Sequence, residues 1–142
     1  METIKIFNEI WSRWDPGIEG ITGNYYVTST SDDENGFIVI LEQEGTSQRI
    51  EVLFSDSVSA LRLADEGVVF MLFDELYAKY GDDFYTQWTF FKVENSDCLQ
   101  WLSSRTAGFS ERYNLKHFVI MGLDKVLDIV ASYEPKIRIL TK

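Results

Sequence analysis

This 142-residue sequence contains one cysteine and one histidine, two residue types that commonly act in nucleophilic catalysis. Cys98 and His117 could serve as nucleophile and base if the fold brought them together. Each lies in a predicted regular element, where a buried thiol and an imidazole bonded to its neighbours are the plainer interpretation. The pair also falls short of the four ligands of a structural zinc site. We therefore assign no catalytic residue, no metal and no cofactor.

Acidic residues offer a second kind of chemistry, because carboxylates bind calcium when their spacing is right. The run Asp32–Asn35 resembles the start of such a loop, but Gln43 stands where the loop needs its glutamate. The sequence also lacks the glycine-rich phosphate loops and the G-x-S-x-G turn of hydrolases. The acidic run is instead typical of a solvated hairpin tip.

A small-ligand site is an alternative function that the residues leave open. A strongly bent sheet could enclose an apolar cavity with His117 near its mouth. Asp124 or Asp128 within reach of that histidine would favour ligand binding or hydrolysis.

Aromatic rings interleaved with acids are the strongest indication of function. The chain holds 23 acids against 13 Lys and Arg, a formal charge of −10, which disfavours nucleic acid and anionic membranes as partners. Exposed rings give rigid contact area and carboxylates steer a cationic protein surface. Tyr25 is expected at the surface, and Trp101 in the core. The predicted partner-binding residues are Tyr80, Asp82, Asp83, Tyr85, Phe109, Glu111 and Tyr113.

The elements that must position these residues follow from the spacing of apolar side chains. Helical spacing from Ile4 to Trp14 predicts an amphipathic N-terminal helix within residues 1–16. The period changes to two over residues 20–64, where turn residues separate four runs and predict an antiparallel meander. Residues 68–142 are predicted to hold a helix over 69–80, a buried strand over 84–93, a helix over 97–103 capped by Ser96, a loop over 104–114, strands over 116–121 and 137–140, and a strand or a helix over 126–131.

These elements predict one α+β domain over residues 1–142. We expect a curved antiparallel sheet of about six to seven strands, with two or three helices covering one side. A lone cysteine excludes an internal disulfide, and the sequence starts without a basic leader. The longest apolar run, Val68–Phe73, is too short for a membrane span. We therefore expect a cytoplasmic protein.

Several segments share their pattern with one group of proteins. They are Gln87–Val93 with Ser96 and Trp101, Leu115–Ile120, and Tyr133–Lys136. The chain here resembles small acidic proteins of Firmicutes that lie beside secreted polymorphic toxins, including the LXG type, and that are suspected immunity proteins. The resemblance implies a cytoplasmic inhibitor that needs no cofactor and sterically blocks a cognate toxin domain. A basic nuclease domain would suit an acidic inhibitor. Dimerisation through Phe7, Trp11 and Trp14 of the N-terminal helix is a further alternative.

Overall fold

The structure is a computed structural model that describes residues 9–81, 83–107 and 113–141. The elements within these ranges are β1 (Ile10–Arg13), β2 (Tyr26–Asp33), β3 (Gly36–Glu42), β4 (Arg49–Phe54), β5 (Ala60–Asp65), α1 (Phe70–Tyr80), α2 (Asp83–Thr86), β6 (Phe90–Glu94), α3 (Asp97–Thr106), β7 (Lys116–Met121), β8 (Lys125–Ala131) and β9 (Lys136–Thr141).

The strands of the described ranges form two antiparallel sheets. The five-stranded sheet has the order β1-β6-β7-β8-β5, and the four-stranded sheet has the order β2-β3-β4-β9. The predicted α+β class with antiparallel pairing is confirmed, but the single curved sheet of six to seven strands is wrong. The reason is that β6, β7 and β8 carry apolar side chains on both faces, so each face needs its own cover.

The inner face of the five-stranded sheet packs against the four-stranded sheet. Strand β3 supplies Phe37, Val39 and Leu41 to this core, and its intervening residues are half-buried. The predicted hairpin tip is confirmed: Glu34 and Asn35 form the turn between the paired residues Asp33 and Gly36. Gly36 has a φ of 115°, and a Cβ there would lie 2.5 Å from the carbonyl oxygen of Phe54. The turn therefore requires glycine for two independent reasons.

The outer face of the five-stranded sheet packs against the helices α1 and α2. The predicted helix over 69–80 is confirmed as α1, which ends at Gly81 and buries Leu76 completely. Phe91, Val119 and Met121 of the sheet contact this helical layer. The helix predicted after Ser96 is also confirmed, since the Ser96 hydroxyl accepts a hydrogen bond from the Leu99 amide and α3 follows.

The predicted N-terminal helix is wrong where the structure describes it, because Ile10–Arg13 is strand β1. Main-chain pairing with β6, which places Trp11 opposite Val93, overrides the helical spacing. Trp11 is buried, and Trp14 packs against Phe118 at a ring distance of 5.3 Å. Both tryptophans of the proposed dimerisation stripe thus contact the protein's own core, while Phe7 lies outside the described residues.

The predicted four-strand meander is correct for three strands only. The chain leaves the four-stranded sheet after β4, and β5 pairs with β8 in the other sheet. The segment predicted as a strand from 84 begins with the short helix α2, and α3 extends into the predicted loop as far as Thr106. The ambiguous residues 126–131 belong to strand β8.

Two predicted exposures are reversed. Tyr25 is completely buried in the core between the sheets, and Trp101 is 51% exposed because Leu102 takes the inward position of α3. Among the described residues, no helix combines the length and apolar character that crossing a bilayer requires.

Candidate functional site

A cavity of about 320 Å³ lies on the outer face of the five-stranded sheet, beside α1 and the first residue of α3. Apolar side chains form part of its wall, namely Trp11, Ala64, Val69, Met71, Leu72 and Val126. Polar and charged side chains form the remainder, chiefly Glu9, Arg62, Asp97, His117 and Asp128. Enclosed volume with a few convergent polar groups is what small-ligand and side-chain binding sites share.

Strand alternation and register bring the charged groups of the cavity together. Along β7 and β8, every second side chain points to the outer face, which places His117 and Asp128 on the same side. Asp128 stands opposite Val119, so His117 is its diagonal neighbour. On the other flank of β8, Arg62 of β5 stands directly opposite Asp128. The pairing of β7, β8 and β5 therefore places a histidine, an aspartate and an arginine side by side on the outer face of the sheet.

Hydrogen bonds join these three side chains. His117 Nε2 lies 2.7 Å from Asp128 Oδ1, and Arg62 Nε donates to Asp128 Oδ2 at 2.9 Å. Burial disfavours the ionised form of Asp128, but the bonds and charges of His117 and Arg62 outweigh this effect and lower the pKa of the carboxyl. Asp128 is thus held as an anion at neutral pH.

The second ring nitrogen of His117 also has a hydrogen-bond partner. Nδ1 lies 2.8 Å from the hydroxyl oxygen of Ser96, which also accepts the amide hydrogen of Leu99. Ser96, His117 and Asp128 have the residue types of a hydrolase triad. The Ser96 hydroxyl is completely buried, however, and His117 is only 3% exposed. A substrate carbonyl has no access to this serine, so the arrangement is a structural network and not a nucleophilic centre.

A second buried carboxylate, Glu9, supports the opposite side of the cavity. Its two oxygens accept hydrogen bonds from Trp11 Nε1 at 2.9 Å and from the Asp97 amide at 2.8 Å. Burial raises the pKa of Glu9 above its usual value, and the nearby Asp97 charge acts in the same direction. Glu9 therefore joins strand β1 to the start of α3.

Cys98 does not supply a nucleophile. The thiol lies in the first turn of α3 and packs with Leu102 and Val130. Burial is the main reason that its pKa is raised to about 11, so the thiol stays protonated at neutral pH. The Cys98 and His117 combination considered from the sequence thus lacks the thiolate it would need.

The alternative pocket residues divide between two places. His117 and Asp128 both line the cavity, as that alternative requires. Asp124 belongs instead to the turn between β7 and β8, where its Oδ1 accepts the Val27 amide at 3.0 Å and its Oδ2 pairs with Lys125. The cavity also lies between a sheet and its helices, whereas the sequence predicted one enclosed by a bent sheet.

The predicted partner-binding residues lie near α1 and α2 and beyond α3. Tyr80 is half-buried, with its ring stacked 4.4 Å from Phe84 and its hydroxyl accepting the Trp11 amide. Tyr85 is half-buried against Phe73, whereas Asp83 is exposed at the start of α2. Tyr113 is 52% exposed. Asp82, Phe109 and Glu111 lie outside the described residues.

Exposed apolar side chains accompany the cavity. Phe70 and Met71, in the first turn of α1, are 59% and 51% exposed, and Met71 also lines the cavity. Strand β5 is an edge strand whose Arg62 and Ala64 face the cavity, while Leu61 and Leu63 on its other face are 42% and 46% exposed. The exposed apolar residues next to this polar recess are therefore those of α1, a combination typical of protein-binding surfaces.

Four residues of the site were not found from the sequence, namely Glu9, Arg62, Ser96 as a partner of His117, and Asp97. One feature of the sequence could have indicated the site, namely Arg62 as a single charged residue between Leu61 and Leu63 in a predicted strand. The contact of Arg62 with Asp128 requires that β5 pair with β8, and the predicted meander placed β5 in a different sheet position.

Comparison of the chain with protein-family models, curated proteins and solved structures finds no match. Within the described residues, no group of three or more His, Cys, Asp or Glu side chains is arranged to hold a metal ion.

Proposed function

We propose that this protein is a protein-binding module of the immunity type, which sterically blocks a basic cognate toxin domain. The observation that carries the proposal is the cavity itself, a carboxylate-lined recess that adjoins exposed apolar side chains of α1. A recess of this kind can anchor a partner side chain while its apolar surroundings exclude water.

Electrostatics supports the same function. The formal charge of −10 favours rapid association with a basic protein and steers the two surfaces into register. Asp82 and Asp83 are the predicted steering charges, with Tyr80, Tyr85, Phe109, Glu111 and Tyr113 as further contact residues. The structural role of His117 and the protonated Cys98 make a catalytic function the poorer explanation of the same cavity.

The test uses the protein encoded by the reading frame that directly precedes this one. We expect the two purified proteins to bind, and co-expression of this chain to restore growth in cells that produce the neighbour. The double variant Asp82→Lys/Asp83→Lys should slow association about tenfold or more at low salt, because steering scales with opposite charge. The control is Asp32→Lys/Glu34→Lys at the exposed hairpin tip, which changes the net charge equally.

The control separates local steering from net charge. A slower association only for the Asp82 and Asp83 variant supports the predicted contact surface. Absence of binding, or association that ignores both salt and charge reversal, would overturn the proposed function.

A second function, ligand binding or hydrolysis, is favoured by one observation, since His117 and Asp128 line a cavity of small-molecule size. Hydrolysis of p-nitrophenyl acetate tests it. Turnover that is lost in His117→Gln, with the fold retained by circular dichroism, would favour the hydrolytic alternative over the inhibitor.

A further inference from the structure

The two sheets of the described ranges end in the strands β1, β2, β5 and β9, and three of these edges are protected against further pairing. On β1, the outward amide of Trp11 already donates to the Tyr80 hydroxyl at 3.0 Å. Strand β2 has an irregular register after Val27, whose amide donates to Asp124. Strand β9 carries the exposed Arg138 and pairs with β4 in an irregular register. Covering groups, bulges and charges are the usual means of protecting a sheet edge.

The edge strand β5 has main-chain groups that are still able to pair. Its pairing with β8 is regular along the whole strand, and the Glu66 amide continues the same register by donating to the backbone oxygen of Asp124. In this register, the amides and carbonyls of Leu61 and Leu63 point away from β8. They have no hydrogen-bond partner among the described residues. Such a row of unpaired groups is a template for another strand.

The side chains of β5 leave the edge accessible as well. Arg62 is turned back across the sheet, where its Nε donates to Asp128 of β8 at 2.9 Å, so its charge does not protect the edge. Leu61 and Leu63 are 42% and 46% exposed. A strand added here would form main-chain hydrogen bonds and cover both leucines.

A second copy of β5 fits this edge. Two antiparallel copies can form hydrogen bonds only if outward-pointing residues stand opposite outward-pointing residues. Pairing centred on Leu63 meets this condition, because it places Leu63 opposite its own copy and Arg62 opposite Ala64. Pairing centred on Arg62 would instead set two like charges directly opposite each other, which is destabilising. The Leu63-centred register also brings Leu61 and Leu63 of both copies into one apolar row.

We propose that β5 pairs with β5 of a second copy of this chain, antiparallel and centred on Leu63, so that the five-stranded sheets of two copies become continuous. The inference goes beyond the proposed function, because it requires no toxin. Pairing of one short strand buries less than the roughly 1,200 Å² typical of a stable interface, so we expect a weak dimer with a Kd on the order of 0.1 mM.

Sedimentation of the full chain from about 10 μM to about 1 mM tests the dimer. Wild type should change from monomer to mostly dimer, whereas Leu63→Lys should stay monomeric, because two like charges would face each other. The matched control is Ile139→Lys, an aliphatic residue of edge strand β9 that is 39% exposed, which changes the net charge equally and should leave dimerisation unchanged. Circular dichroism checks that both variants fold. A wild-type monomer throughout this range, or equal losses in the two variants, would overturn the inference.

Salt separates this inference from the proposed function. Each copy carries a formal charge of −10, so screening should strengthen the dimer as salt rises, whereas binding to a basic toxin should weaken. A dimer that weakens with added salt would contradict a contact formed by leucines and main-chain groups. The inhibitor proposal stands if the dimer is absent, and the dimer stands if no toxin binds.

Cross-linking tests the register. Residues opposite each other in a hydrogen-bonded antiparallel pair have Cα atoms about 5.5 Å apart, within disulfide range, so Leu63→Cys should form a disulfide-linked dimer under mild oxidation. Leu61→Cys is the control, because its two copies would lie four residues apart along the strands, about 13 Å, and should not cross-link. The native Cys98 is buried and should not take part. Cross-linking of both variants at equal rates, or of neither, would overturn the proposed pairing.

Discussion

The two faces of strands β7 and β8 are built from alternate residues of the same segments, yet they serve different purposes. The inner face carries Phe118, Ile120, Leu127 and Ile129, and every one of these side chains is buried against the four-stranded sheet. The outer face carries His117 and Asp128 beside Val119, Val126 and Val130, and it leaves a cavity under α1. The difference shows that one pair of strands can supply a closed apolar core and a polar recess, because strand alternation separates the two sets of side chains.

The largest expected effect tests the inner face. Phe118→Ala removes a ring that is 2% exposed and contacts Trp14 and Phe54. We expect the free energy of unfolding to fall by about 3–5 kcal/mol, since both the transfer of the ring and a cavity count against the folded state. Urea unfolding followed by tryptophan fluorescence measures this change.

The control for that variant is Phe70→Ala, which truncates an exposed ring on α1. It should change the free energy of unfolding by no more than about 0.5 kcal/mol. Equal losses for the two variants would contradict the assignment of Phe118 to the core and of Phe70 to the exposed side of α1.

An intermediate effect tests the polar outer face. Asp128→Asn removes the anion to which Arg62 and His117 are hydrogen-bonded. We expect a loss of about 2 kcal/mol at pH 7, because two bonds to a charged group are lost while water can still reach the half-exposed Arg62. Asp74→Asn, at an exposed position of α1, is the matched control and should stay within about 0.5 kcal/mol.

The pH dependence of the Asp128 effect has a definite sign. The pKa of this carboxyl is lower in the folded protein than its ordinary value of about 3.9 in an unfolded chain. Its contribution to stability is therefore fully present above that ordinary value and disappears as the pH falls through the lower folded value. We expect the difference in free energy of unfolding between wild type and Asp128→Asn, measured by urea unfolding, to be the same at pH 7 and pH 5 and smaller at pH 3. A gap that widens at pH 3 would contradict this account.

The smallest expected effect concerns Leu61, an inner-face residue of the edge strand β5. Leu61 of β5 stands opposite Ile129 of β8 in the same row, but Leu61 is 42% exposed and Ile129 is completely buried. Leu61→Ser should therefore lower the free energy of unfolding by about 0.5 kcal/mol, less than the roughly 0.5–1.5 kcal/mol of Ile129→Val. A loss above about 2 kcal/mol for Leu61→Ser would mean that this edge is covered.

Local sequence patterns predicted those elements whose period is set by one buried face. Helix α1 and strand β3 show clear periodicity, and Ser96 and Gly36 mark a helix start and a turn. Strand β1 was misassigned because Ile10, Trp11 and Trp14 fit a helical spacing as well as a four-residue strand, and only pairing with β6 decides between them. Sheet membership was missed for β5 because pairing partners are far apart in sequence.

The candidate site was predictable only in part, for the same physical reason. His117 and Asp128 lie on neighbouring strands separated by one turn, so their proximity follows from a hairpin. Arg62 and Glu9 reach the same cavity from segments 66 residues before Asp128 and 88 residues before Asp97, respectively. Contacts at such separations depend on topology, which a periodic pattern does not encode.

The crossing of β5 between the sheets makes the two halves of the chain interdependent. Strand β9 completes the four-stranded sheet by pairing with β4, and the bond between Arg138 and Glu51 spans 87 residues. Strands β1 and β5, both from the first half, flank β6, β7 and β8 from the second. A division between α1 and β6 would therefore leave both sheets incomplete. Neither half contains a finished hydrophobic core, so the two sheets belong to one cooperative folding unit.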